Sequence, residues 1–205
     1  RIIEDIEAYE ANGFNGLIAC GSQRSAFPTG FAFYVFARKL FDTSLSYDEL
    51  LDEYFSCAFG EDYRQFVDYL YAIADIFGDK YLEGEESVDE TVSLYYNPKR
   101  AKKLKNASKV IKAGEELIAA HYNSKDRIRT ASVRMLEMHA AYVKLLARAC
   151  FYKAIGDNDG AIKAYDKFQD YLNKTEIYTE KYFDHYLASS QLEWSIRGNR
   201  KKTDI

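Results

Sequence analysis

Gln23 and Arg24 are the two residues of this chain best suited, by type and by neighbours, to hold a ligand. They lie in a polar turn at residues 21–25, directly after the apolar run Gly-Leu-Ile-Ala-Cys at residues 16–20. If that run is a buried strand, the turn after it belongs to the face on which α/β barrels build their active sites. A guanidinium there can make two parallel bonds to a carboxylate or several to hydroxyls. The Gln amide adds a donor and an acceptor. The competing reading is a solvated turn with both side chains in water, and the sequence leaves the two open.

No other constellation carries chemistry. His121, His139 and His185 stand at no metal-ligand spacing, and no H-E-x-x-H run occurs. Nucleophile-elbow, Walker and dinucleotide-binding motifs are absent. Carboxylates cluster at Glu4/Asp5, at Asp48/Glu49/Asp52/Glu53 and at Glu115/Glu116. These positions read as exposed helix faces, whereas a glycosidase needs two carboxylates facing each other across a sugar-sized gap. No catalytic residue, metal ligand or cofactor is therefore assigned. Cys20, Cys57 and Cys150 are far apart in sequence and read as free thiols.

The elements that must position the turn are helical on both sides. Residues 2–11 form an amphipathic helix closed by Asn12-Gly13, and Pro28 opens the next one. Ser46 with Glu49 makes a capping box before a helix that runs to about Ala58. Phe66, Tyr69, Leu70, Ile73 and Phe77 then mark the buried stripe of another helix. Residues 78–97 form a long acidic connection, expected to be exposed and mobile. Asn97-Pro98 starts a set of long helices at about 98–121, 125–155, 159–172 and 175–197. The pair around Gly156-Asp157 resembles a single helical hairpin, with no second copy at a fixed period.

Composition bounds the function. A chain of 205 residues, 47% hydrophobic and 29% charged, has the balance of a globular domain with a sizeable core. Its net charge of −4 argues against a nucleic-acid surface, and no apolar run reaches membrane length. The 18 Tyr and 13 Phe suit wet-edged helix interfaces and also sugar-stacking surfaces.

Residues 33–42 (FYVFARKLFD), 44–55 (SLSYDELLDEYF) and 58–60 (AFG) resemble the pattern Y-x-x-A-K-L-x-W-D-x-x-x-D-x-x-x-L-x-x-E-F-x-x-x-x-Y-G. That pattern belongs to bacterial glycosidase-like barrel proteins, in a family built on a domain of unknown function and related to α-glucuronidase-type and hexosaminidase-type barrels. Phe41 stands where the pattern has Trp. The resemblance implies a mostly α chain: residues 1–45 would be the last βα unit of a (β/α)8-type barrel, and residues 46–205 a multi-helix C-terminal domain. It implies carbohydrate as the ligand of the parent barrel, with Gln23 and Arg24 on the rim of its site. The acids that cleave sugars would stand on barrel strands upstream of Arg1, as would any targeting signal, so the compartment stays unassigned. The alternative is a helical scaffold that presents a Tyr-rich groove to a protein partner.

Overall fold

The computed structural model describes residues 2–18, 24 and 26–198. The described residues form ten helices: α1 (Ile2–Ala11), α2 (Phe31–Phe41), α3 (Tyr47–Phe59), α4 (Tyr63–Phe77), α5 (Asp79–Leu82), α6 (Pro98–Lys105), α7 (Ala107–His121), α8 (Arg127–Ala154), α9 (Asn158–Thr179) and α10 (His185–Ile196). The fold is mainly α, and no strand occurs among the described residues. Residues 16–18 run as irregular chain, with Leu17 partly exposed and Ile18 fully exposed. The strand expected there needs a neighbour to take its N–H and C=O groups, and the described residues offer no second strand. Ala19 and Cys20, the end of that run, lie outside the described residues, as does Gln23.

Three helix boundaries differ from the sequence reading. The second helix begins at Phe31, not Pro28, and the N–H of its N-cap Gly30 is taken by the Tyr54 hydroxyl at 2.8 Å. The stretch 98–121 divides at Asn106, whose N–H meets the carbonyls of Lys102 and Lys103 and tightens the turn. No break occurs near residue 173: α9 continues to Thr179, and within it the Thr175 hydroxyl donates back to the Tyr171 carbonyl at 2.9 Å. The capping box at Ser46 and the cap at Asn97 form as expected.

Helix α8 is the axis of the molecule and packs against α3, α6, α7, α9 and α10. Its buried stripe includes Val133, Leu136, Ala140, Val143, Leu146 and Ala147. Gly156, at φ +81°, turns the chain into α9, and Asp157 caps that helix by accepting from the Gly160 N–H at 2.8 Å. On the other side of the body α4 meets α7 where the Tyr69 ring lies over Gly114. A Cβ at residue 114 would come within 2.2 Å of that ring, so only Gly permits the approach.

The N-terminal layer is held by a buried cation. Lys39, 1% exposed, donates to Glu7 Oε1 at 2.6 Å and to the carbonyls of Thr43 at 2.6 Å and Leu45 at 3.0 Å. All three ammonium hydrogens are thereby used. One side chain ties α1, α2 and the α2–α3 link together.

The acidic connection is better anchored than its composition suggests. Tyr81, Ser93, Tyr95 and Asn97 are buried, and the Tyr81 hydroxyl donates to the Cys150 carbonyl of α8 at 3.1 Å. Arg100 grips Glu86 through Nη2 at 2.7 Å and 3.0 Å and through Nε at 3.2 Å. The same guanidinium donates to the Asp75 carbonyl at 2.7 Å, capping the C-terminal end of α4. Arg100→Ala would leave Glu86 and those carbonyls without their donor. The variant should lose about 2–3 kcal/mol in urea unfolding, and limited proteolysis should cut within residues 83–96 faster than in the parent chain. Unchanged cleavage would mean that the connection is held by its tyrosines alone.

Candidate functional site

The segment that carries Arg24 folds back onto the turn between α9 and α10. Arg24 Nη1 approaches the Glu180 carbonyl at 3.4 Å, and the Ala26 N–H donates to the Tyr182 carbonyl at 2.9 Å. Phe27 then packs into an aromatic nest. Its ring centroid lies 4.7 Å from Phe183, 5.6 Å from His139 and 5.9 Å from Tyr142. Arg24 thus stands at the surface edge of a half-buried aromatic cluster.

The carboxylates that the sequence clusters do not face one another as a dyad. Glu49 closes its capping box on Ser46, Asp52 accepts from Arg64 at 2.6 Å and from Tyr63 at 2.8 Å, and Glu53 pairs with Arg38 at 3.1 Å. Each is engaged in holding a helix. Among the described residues no three His, Cys, Asp or Glu side chains gather as a metal ion would require. No helix among them is long and apolar enough to cross a membrane.

The histidines have separate environments. His121, at the end of α7, meets the Leu117 carbonyl at 2.9 Å through Nδ1 and the Asp62 carboxylate at 3.1 Å through Nε2. The carbonyl first, and then the carboxylate, raise its pKa. His185 is not paired with Asp184, which caps α10 by accepting from the Leu187 N–H. Its Nε2 instead meets the Thr179 hydroxyl at 2.7 Å, and burial lowers its pKa. His139 is 9% exposed, stacked on Tyr142 at 6.0 Å, and its Nδ1 is sealed without a hydrogen-bond partner. Burial depresses its pKa to about 4, so the ring is neutral at pH 7.

His139 and Phe27 are the residues that motif reasoning passes over. His139 does share the helical stripe of Leu136, Ala140 and Val143, and that spacing is the signal that places it in the core. Nothing local marks Phe27, whose partners lie more than a hundred residues away. No protein-family model, curated protein or solved structure matches the chain.

Two of the three perturbed histidines, His121 and His139, act on stability with opposite sign. His121 binds its proton more tightly when folded, so its contribution is complete below its ordinary value and fades as pH rises through the folded one. His139 refuses the proton that the unfolded chain accepts, so its contribution is complete above about pH 6.5 and is lost as pH falls toward 4. The interval corresponds to about 3 kcal/mol at most. Urea unfolding at pH 7 and pH 4.5 should show a steeper acid loss for the parent chain than for His139→Phe. Equal losses would mean that His139 is protonated in the folded state near its ordinary value.

Proposed function

We propose that this chain is the helical C-terminal portion of a glycoside-hydrolase-like protein. In this reading residues 1–45 complete a (β/α)8-type barrel, residues 46–205 brace it, and the chain supplies no catalytic residue. The observation that carries the reading is the outward face of α2. Phe33, Ala37, Leu40 and Phe41 fall at i, i+4, i+7 and i+8 on one side of that helix. Phe33 is 49% exposed and Phe41 92% exposed, while Val35 and Lys39 on the opposite side are buried. A helix with one face packed on α1 and α3 and its other face apolar and open suits an outer barrel helix, whose open face lies on the strands. Phe14, Leu17 and Ile18 are exposed just before it, and an adjacent barrel sheet would cover them as well. The resemblance of residues 33–60 to glycosidase-like barrel proteins supports the same reading and supplies carbohydrate as the ligand class. Gln23 and Arg24 would then stand at the sugar-site rim.

Two measurements test this. The purified chain should turn over no aryl glycoside in a panel, and turnover abolished by substituting one of its own acids would overturn the reading. In the gene product that carries the barrel, Phe33→Glu with Phe41→Glu should lower stability by about 1.5–3 kcal/mol for each ring re-exposed. In the 205-residue chain alone the pair should leave stability nearly unchanged. Equal effects in both contexts would favour the scaffold reading, in which a separate protein partner covers this face.

A further inference from the structure

The cavity of about 480 Å³ between α4, α5, α8 and α10, beside His139, is lined chiefly by apolar side chains, which fix no ligand chemistry. The outer surface of α6 and α7 is different. Residues 98–114 hold seven of the chain's 28 lysines and arginines and none of its 32 acids. The segment carries +7, so the rest of the chain carries −11 within the net −4. Two of the seven cations are used by the fold: Arg100 grips Glu86, and Lys103 meets Asp75 at 2.6 Å. Lys112 lies 3.9 Å from Glu116, one turn along α7. Lys99, Lys102, Lys105 and Lys109 are exposed and make no ion pair among the described residues.

Spacing gathers these charges into a row. Residues 99, 102, 105, 109 and 112 follow one another at intervals of three and four, which keeps them on one side of the helical path. Ala101, Leu104, Ala107, Ile111 and Gly114 are buried on the other side. At the rise of a helix the row extends over roughly 20 Å. Like charges one turn apart repel, and cations in a first turn oppose the helix dipole, so the row costs the fold stability. No acid stands in the first turn of α6 to offset them. A surface that served solubility alone would intersperse the two signs. A partner that is itself negative offsets the repulsion.

Further observations narrow the kind of polyanion. The segment contains no aromatic residue, so nothing there stacks on a base. No large apolar side chain is exposed between Val92 and Ile128, so nothing there enters a bilayer or anchors a peptide. Acids bound the row, with Asp75 at its flank and Glu115 and Glu116 beyond Lys112. A broad anionic surface would meet those acids, whereas a narrow strand would not. Asn106 lies within the row, exposed, and its amide makes no hydrogen bond among the described residues. An amide set among ammonium groups suits a strand that carries both hydroxyls and negative charges. We propose that this face of α6 and α7 binds an acidic polysaccharide, its carboxylates paired with Lys99, Lys102, Lys105 and Lys109 and its hydroxyls bonded to Asn106. The choice of carbohydrate rests in part on the glycoside-hydrolase-like reading above; the row of unpaired charge does not.

Calorimetric titration of the 205-residue chain with an oligogalacturonate tests this. Binding should be saturable and should weaken steeply with added salt, as counterions are released. The methyl ester of the same oligomer keeps the hydroxyls and loses the charges, and it should not bind. Lys102→Glu with Lys105→Glu and Lys109→Glu should weaken binding by at least about tenfold, and the three Lys→Arg changes should keep it within about twofold. Lys and Glu are comparable helix formers, so the reversed variant should stay folded. Lys167→Glu with Lys174→Glu and Lys181→Glu makes the same change of net charge on α9 and the turn after it, and should cost about threefold or less. Asn106→Ala should weaken the sugar by about fivefold, the worth of one hydrogen bond. Poly-glutamate, single-stranded DNA and phosphatidylserine vesicles should each bind more weakly than the oligogalacturonate. Equal or tighter binding by any of the three would overturn the assignment to a polysaccharide. So would the absence of saturable binding, binding of the methyl ester, or equal losses in the two Lys→Glu variants. None of these results bears on what covers α2, which the Phe33 and Phe41 variants test, so the two readings stand or fall separately.

Discussion

Helix α8 is wrapped by neighbours along most of its length, and the rest of the molecule adjusts to that constraint. A helix so enclosed must either be apolar or supply partners for its polar groups. Small residues meet the first demand: Ala147, Ala149 and Ala154 on α8, with Ala161 and Ala164 on α9, are buried and let two long helices lie close together. The second demand fixes the stretch that leaves α10. Lys153, 1% exposed, donates to Asn158 Oδ1 at 2.9 Å and to the Gly198 carbonyl at 3.0 Å. Burial lowers its pKa, and these two acceptors are what keep an ammonium tolerable there. Gly198, two residues past α10, is thereby held against the turn that joins α8 to α9.

The N-terminal layer is attached by different means. Phe27 enters the aromatic nest beside α8, and Phe31 meets Tyr54 and Phe55 of α3 at 5.4 Å and 5.0 Å. Lys39 fastens α1 and the following link to α2. These contacts occupy one side of α2 only. A layer so firmly secured, and yet apolar on its outer side, has the energetics of an interface rather than of a loose end.

The acidic residues point the same way. Glu49, Asp52, Glu53, Asp62, Asp75, Glu86 and Asp89 each cap a turn or pair with a named cation or hydroxyl. Hydrogen bonds from Ser44 and from Thr91 hold Asp42 and Asp89 below the usual carboxylate range. General acid catalysis asks the opposite of a carboxyl group, a pKa raised toward neutrality. These seven acids are engaged in holding the architecture. The neutral His139 is a group of another kind, buried in the core with its Nδ1 sealed and unpartnered.

The sequence by itself determined the features that depend on neighbours along the chain. The capping box at Ser46, the cap at Asn97, the buried stripe from Phe66 to Phe77 and the Gly156 turn all arise from contacts within a few residues. Boundaries such as the start of α2 at Phe31, where the Tyr54 hydroxyl meets the Gly30 N–H from 24 residues away, and the run of α9 through Thr175 were beyond it. The candidate site was legible only in part. Arg24 could be singled out from the residues around it, but its approach to Glu180 spans 156 positions. The acidic connection read as exposed because its charges are visible in the sequence, whereas the Arg100 that neutralises Glu86 and caps α4 acts through space. The cavity beside His139 is wholly a product of tertiary structure. Its walls come from α4, α5, α8 and α10, and no local pattern records that four helices leave room between them.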